Sequence, residues 1–489
     1  MEFKTAREQI DALRARQVSA VELLDHSIAR IAAHDGDLNA VVVRDFERAR
    51  VAAARADAAL LHGDRRPLLG LPMTVKEAFN VAGLPTTWGI PGTDKIDVAQ
   101  DAVVIGRLKD AGAVIIGKTN VCTQLADWQT FNPVYGTTHN PWDLRRTPGG
   151  SSGGSAAVLA AGFVSLELGS DLSGSLRIPA HCCGVFAHKP TFGLVPTRGF
   201  APPGVPVLSV SHDIDCAVVG PMARSAADLS LALDVMAGPD DAQALAYTLA
   251  LPPPRHAKLC AYRVLVLDQH PLVPASSEVR SALHRFAGNL ERAGCKLGWN
   301  SPLLPDLELS AATFAHLLLS FFGADMPEAA YEGLKAKVAG NPAAERAPEL
   351  LELRGLVSSH RDWIGMDRAR LGIAHQWRQL FQEWDVVLCP VLPTTALLHD
   401  HADMDERRID IDGRSVRYKA QAAWMSVASV AGLPVTAMPI GLSAAGLPVG
   451  VQVIGPYLED RSTIRFAELA EREFGGFVVP PALATSPAT

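Results

Sequence analysis

The chain has 489 residues, of which 48 % are hydrophobic and 20 % charged, and a net charge of −7. This composition is ample for a large buried core and excludes a disordered chain, which needs low hydrophobicity and high net charge. The mild negative charge, with no basic stripe to neutralise phosphates, gives no support for nucleic acid as a partner.

In chain order, the first 65 residues read as helices. Ser19-Ala20-Val21-Glu22 fits a capping box, with Ser19 as the cap and Glu22 three residues on. Val21, Leu24, Ile28 and Ile31 then follow at helical spacing, and a second helix runs from Phe46 to Leu61. From Leu68 the pattern changes. Leu71 to Val75 is a short apolar run that ends in Lys76-Glu77, Val103 to Leu108 is helical, and Ala113 to Gly117 is a compact strand. Ser155 to Ala161 is an alanine-rich helix and Ser165 to Leu168 a strand. Gly238 to His256, with Pro252-Pro253-Pro254, reads as a linker. Beyond it come a strand at Arg263–Leu267, a helix at Ser277–Ala293, and a long helical region from Ala311 to Trp384. Strands follow at Val386–Leu388, Val435–Met438 and Val449–Ile454, and Asp400 to Arg417 reads as a polar loop. Short apolar strands alternating with helices predict an α/β layered fold.

No run of about 20 apolar residues is seen, so no membrane span is expected. Met1 to Ile10 lacks the apolar centre of a secretory signal, which makes the expected location cytoplasmic. The seven cysteines are scattered, with no C-x-x-C, and His181-Cys182-Cys183 is contiguous rather than spaced for zinc. Buried free thiols and no metal are the expectation.

Gly149-Gly150-Ser151-Ser152-Gly153-Gly154-Ser155 admits three readings. A flexible linker would not be followed at once by a strong apolar helix and strand. A phosphate cradle would end in Lys-Ser/Thr, or would read G-x-G-x-x-G. A catalytic loop would use the glycines for sharp turns and the serines as proton-relaying hydroxyls. The segment Ser170 to Ala180 favours the third, because it leaves a strand through Ser173-Gly174-Ser175. Such a junction is where exposed nucleophiles and backbone N–H donors are placed.

The stretch from Gly149 to Ala180 resembles the signature block of the amidase signature enzymes. The likeness extends to Leu71–Glu77, Gly117–Asn120, Tyr135–Trp142, His188–Thr191, Gly220–Ser225 and Gly446–Gln452. The resemblance implies one α/β domain over residues 1–489, a mixed central sheet covered by helices on both faces. Within it, 1–65 form a helical layer and 66–240 the catalytic core, with the signature block at 149–180. Residues 241–385 form a variable helical region, and 386–489 complete the sheet and a closing helix. It also implies a nucleophile at Ser175, a bridging Ser151 held by a cis peptide after Gly150, and a base at Lys76. The oxyanion hole would be the N–H groups of Leu172, Ser173, Gly174 and Ser175. Gly150, Ser152, Asp171 and Arg177 would support it, and Leu125, Asp127, Trp128 and Thr130 would lie in the substrate pocket. No cofactor is implied.

The chemistry accounts for the lysine. A serine hydroxyl needs a base, and an ordinary lysine, protonated up to a pKa of about 10.4, cannot serve unless burial lowers that value. Lys189 is a rival base in a similar segment, assigned a structural or surface role by its family position. His181, His188 and His212 open a Ser-His-Asp reading. Arg177 could pair with Asp171 or hold a substrate carboxylate. The chain departs from the commonest family pattern at Ser173, usually glycine, at Leu172, usually Thr or Ile, and at Thr123-Gln124, where an acidic then an aromatic residue is usual. The expected reaction is hydrolysis of a small-molecule carboxylic amide, with ester or carbamate left open, by a chain that is free or a homodimer. The alternatives are an amidotransferase subunit supplying ammonia in tRNA-dependent amidation, and a non-catalytic ligand-binding protein of the same fold.

Overall fold

A computed structural model describes residues 1–94, 98–205, 214–324, 326–340 and 348–484. Eleven strands join in one sheet. In chain order they are β1 (Val41–Arg44), β2 (Pro72–Lys76), β3 (Val114–Thr119), β4 (Leu166–Asp171), β5 (Phe186–Lys189), β6 (Val218–Ala223), β7 (Arg263–Val266), β8 (Lys296–Gly298), β9 (Val386–Pro390), β10 (Val435–Leu442) and β11 (Pro448–Ile454). Across the sheet they lie in the order β1-β3-β2-β4-β6-β5-β10-β11-β9-β7-β8. The sheet is mixed. β2 runs parallel to both β3 and β4, the middle from β4 to β9 is antiparallel, and β9, β7 and β8 are parallel at the far side.

Helices cover both faces. Along β9, Val387 and Cys389 enter one apolar cluster with Leu24, Ile31 and Trp377. Val386 and Leu388 enter the other, with Ile105, Leu229 and Phe466. Alternate residues of a strand point to opposite faces, so the two clusters are the two sides of the sheet. Every residue of β2, β3, β4 and β6 is buried. Strands covered on both faces read as continuous apolar runs, which is how β2 and β3 announce themselves in the sequence.

The helix Ala20–Leu38 has its reciprocal cap, Glu22 N–H to Ser19 Oγ at 3.1 Å and Ser19 N–H to Glu22 Oε2 at 2.8 Å. The helix Phe46–Leu61 is formed as expected. Between them the helical layer is interrupted by β1, which pairs antiparallel with β3 at the sheet edge. The expected loop from Asp400 to Arg417 contains a hairpin, Arg408–Ile411 against Arg414–Arg417. The long helical region divides into Leu307–Ala324, Glu328–Ala339, Pro348–Leu356 and His360–Glu383. The first of these is long and apolar enough, with mean hydropathy 1.4, to meet the composition of a membrane span. It turns Leu307, Phe314 and Leu317 into the core, and 39 % of its length is buried. The linker segment carries one short helix, Asp241–Ala244. All seven cysteines are free; six are buried, and Cys260 is exposed, against the expectation that all would be buried.

Because β2 and β4 are parallel neighbours, their carboxyl ends reach the same edge of the sheet. Lys76 is the last residue of β2, and Ser170 and Asp171 end β4. The crevice outside strand carboxyl ends is where open α/β sheets place their chemistry.

Candidate active site

Lys76 is fully buried, and its Nζ donates to Ser151 Oγ at 2.6 Å and to Ser170 Oγ at 2.9 Å. Burial pushes its pKa down to about 7, against the pull of Cys122, Asp171 and Glu167, which favour the charged form. A lysine held there is neutral in a large fraction of molecules near neutral pH.

Ser151 follows a cis peptide at Gly150. Gly150 is packed so tightly that a Cβ would stand 2.7 Å from Asp127 O and 2.8 Å from Gln129 N. Only glycine fits there. Ser152 closes the gap to the other serine loop: its N–H donates to Ser175 O at 3.3 Å and its Oγ to Ser170 O at 3.3 Å. The helix Gly153–Ala160 begins immediately afterwards.

Ser175 is 6 % exposed, and its Oγ makes no hydrogen bond among the described residues. The turn before it is built around Asp171. That carboxylate accepts from Gly174 N–H at 2.7 Å and Leu176 N–H at 3.1 Å, and is gripped by Arg177 through Nε and Nη2, both at 2.9 Å. Burial alone would raise the Asp171 carboxyl, but the Arg177 charge and these hydrogen bonds hold it at about 2. The remaining N–H groups of Arg177 go to Met425 O, Gln452 Oε1 and Ser429 Oγ. A guanidinium has five donors. All five are engaged, so Arg177 has none left for a substrate carboxylate.

Gly174 N–H is directed at Asp171, while those of Leu172, Ser173 and Ser175 make no hydrogen bond among the described residues. The Ser173 hydroxyl, unusual at its position, is buried without a partner rather than adding a hydrogen bond.

The predicted pocket residues divide. Trp128 donates from Nε1 to Ser173 O at 2.7 Å and lies half-buried with its ring 5.5 Å from that of Tyr418. Leu125 and its neighbour Gln124 both take left-handed backbone conformations, φ 58° and 56°, which aim this turn away from a regular helix. Asp127 is tied to Arg407 at 2.6 Å and to the Tyr418 hydroxyl at 2.9 Å. Thr130 is buried and acts on the serine loop, accepting from Gly153 N–H at 3.2 Å and donating to Gly149 O at 2.8 Å.

The rival residues lie elsewhere. Burial pushes Lys189 down to about 8, and its Nζ donates to Pro190 O at 3.1 Å. His181 accepts from Gly450 N–H at 3.0 Å and reaches Thr394 O at 3.0 Å. His188 lies between Asp460 and Thr436. Neither histidine bonds to a serine of the signature block, and His212 lies outside the described residues. Among the described residues, no group of three or more His, Cys, Asp or Glu side chains is arranged to hold a metal ion.

A polar cleft of about 600 Å³ lies beside this centre, between residues 394–400 and the hairpin. Gln129 and Tyr418 form part of its wall, but Lys76, Ser151 and Ser175 do not.

The profile of the Amidase family matches residues 22–464. The chain belongs to the amidase family. It is 32 % identical to a glutamyl-tRNA(Gln) amidotransferase subunit of Anaeromyxobacter dehalogenans (strain 2CP-C), over 97 % of each chain. It is 31 % identical to fatty-acid amide hydrolase 2-A of Danio rerio, over 96 % of this chain and 88 % of that one. A solved structure, from a vestigial protein complex bearing on the origins of an s-triazine catabolic enzyme, superposes with a TM-score of 0.80. The two share 29 % identity over 97 % of this chain and all of the other. The single α/β domain with its large mixed, helix-flanked sheet is the fold of amidase signature structures.

Several site residues escape sequence reasoning. Ser170 sits inside the signature block but gives no sign of reaching Lys76. Arg407 and Tyr418 come from the segment read as a loop and its end. Gln452, in a segment that resembles the family, turns out to accept from Arg177.

Proposed function

We propose that this chain hydrolyses a carboxylic amide through an acyl-enzyme on Ser175, with Ser151 relaying protons to Lys76. The observation that carries the reading is the fully buried lysine, brought down to about 7, with Nζ 2.6 Å from Ser151 Oγ. Neutral Lys76 accepts the Ser151 proton as Ser151 accepts that of Ser175. The Ser175 Oγ bonds to the carbonyl carbon, whose oxygen becomes an oxyanion facing the N–H groups of Leu172, Ser173 and Ser175. Each such donor contributes typically about 3 kcal/mol. Collapse breaks the C–N bond as Ser151 returns a proton to the leaving amine. Water then repeats the sequence on the ester and releases the acid. The Ser151–Ser175 hydrogen bond forms with substrate in place, since catalytic hydrogen bonds tighten in the Michaelis complex.

The test is labelling by a fluorophosphonate probe together with an amide screen over acyl and amine size. Ser175→Ala abolishes labelling and turnover, and Lys76→Ala lowers turnover by about a thousandfold. Near-wild-type turnover in Lys76→Ala sinks the assignment, and absence of labelling at Ser175 favours a ligand-binding protein of the same fold. A second reading, an amidotransferase subunit that passes ammonia to a partner, draws on the full-length likeness to such a chain. Sustained turnover of simple amides by the isolated chain argues against it.

A further inference from the structure

The proposed mechanism leaves one buried acid beside the lysine without a task. Glu167 lies on β4, paired with Thr74 of β2, and is 1 % exposed. Its Oε1 accepts from Thr119 Oγ1 at 2.9 Å, and its Oε2 from the N–H of Leu168. Thr119 Oγ1 is also 2.9 Å from Ser155 Oγ. Thr119 is the register partner of Lys76 on β3, and Ser155 lies in the first turn of the helix that follows Ser151. One carboxyl therefore joins the strand beside the base, the helix behind the bridging serine and the strand that carries Ser170. Among the described residues it has no ion-pair partner, although a buried carboxylate ordinarily has one.

We propose that Glu167 is the positioning residue of the lysine base: through Thr119 and Ser155 its carboxyl fixes Lys76 and Ser151 relative to each other, and its charge decides the pH range in which Lys76 can take a proton. This rests on the Ser175–Ser151–Lys76 reading. Burial pushes the Glu167 carboxyl up to about 8, with hydrogen bonds from Thr119 and Ser155 opposing, while Lys76 is brought down to about 7. The two titrate over the same range, and the Glu167 carboxylate favours the Lys76 ammonium. The other ionisable groups facing Lys76 are Cys122, after β3, and Asp171, at the end of β4. Burial holds the Cys122 thiol at about 12, and Asp171 stays charged against Arg177, with Lys189 also near. Between about pH 5 and 9 Glu167 is thus the neighbour of Lys76 whose charge changes.

Glu167→Gln keeps the shape and an acceptor for Thr119 but withdraws the charge. In the wild type the pair shares its protons over this range, and the form with Lys76 charged and Glu167 ionised is lost in the variant, so neutral lysine persists to lower pH. The measurement is the rate of Ser175 labelling by a fluorophosphonate, as a function of pH, for wild type, Glu167→Gln and Thr119→Val. The acid limb of Glu167→Gln moves down by up to about half a unit. Thr119→Val, which removes a donor that favours the carboxylate, moves it in the same direction, and decides the matter should Glu167→Gln fail to fold. A limb that stays in place or moves up, including a uniform loss of rate at every pH, overturns the positioning role and leaves the serine mechanism standing. Absence of labelling at Ser175 in the wild type overturns the mechanism itself.

Discussion

Replacing Lys76 by methionine isolates what burial of the lysine does to stability. Burial brings its pKa from 10.5 to about 7, so below pH 7 the folded protein holds a charged ammonium at a disfavoured site. A shift of that size corresponds to about 5 kcal/mol at 1.36 kcal/mol per unit. The sign follows from linkage. Between about pH 7 and 10.5 the unfolded chain binds a proton that the folded chain lacks, so wild-type stability rises with pH across that window. Methionine, of similar shape, has no such dependence, although it leaves Ser151 and Ser170 without their donor, at about 1–3 kcal/mol. The difference in stability, Lys76→Met minus wild type, therefore falls by about 2–3 kcal/mol from pH 7 to pH 9. For a chain of this length that corresponds to about 2–3 °C in Tm. The assay is a pair of thermal melts on both proteins at pH 7 and pH 9. A difference in Tm that is the same at both values refutes the claim that the lysine is held neutral by burial.

Two further substitutions examine the turn at the nucleophile. Asp171→Asn leaves the buried Arg177 guanidinium without its counter-ion and destabilises by about 3–5 kcal/mol, read as a lowered midpoint in a denaturant titration; a change within error would show that the pair does not organise the turn. Ser173→Ala removes a buried hydroxyl that has no partner. Its expected effect is a gain of up to about 1 kcal/mol in the same titration, and a clear loss would reveal a hydrogen bond to Ser173 that forms in solution.

Much of this is legible in the sequence where local chemistry dictates structure. The capping box at Ser19 and Glu22 places a helix start, and the apolar runs at Val75 and Ile115 locate strands buried on both faces. The strand Val41–Arg44 escapes because four residues between two helical patterns carry too little periodicity, although three successive valines favour a strand. The hairpin in 408–417 escapes for a different reason. Its turn, Asp412-Gly413, takes positive φ at both residues, 52° and 80°. Asp-Gly between alternating residues is a strong hairpin signal, but charge along the segment hides it. The nucleophile, relay and base are named from the family pattern. What no local rule can supply are meetings between distant parts of the chain, such as Arg407 with Asp127, or Glu167 with Thr119 and Ser155. The same holds for the turning of Gly174 N–H toward Asp171, since a backbone donor carries no side-chain signature.

Lys76 and the turn of Ser175 leave adjacent parallel strands. The gap between base and nucleophile loop is therefore ruled by the inter-strand spacing of a sheet, about 4.8 Å, and enforced by backbone hydrogen bonds. Side-chain packing has little say in it. The cleft beside this centre has another origin: Gln129, Asp400 and Tyr418 are among the residues that line it, and none of them belongs to a strand of that sheet. On the proposed reading, reaction and selectivity rest on separate mechanical footings. Segments of that cleft can be recut while the sheet keeps Lys76 and the serines at the same distance.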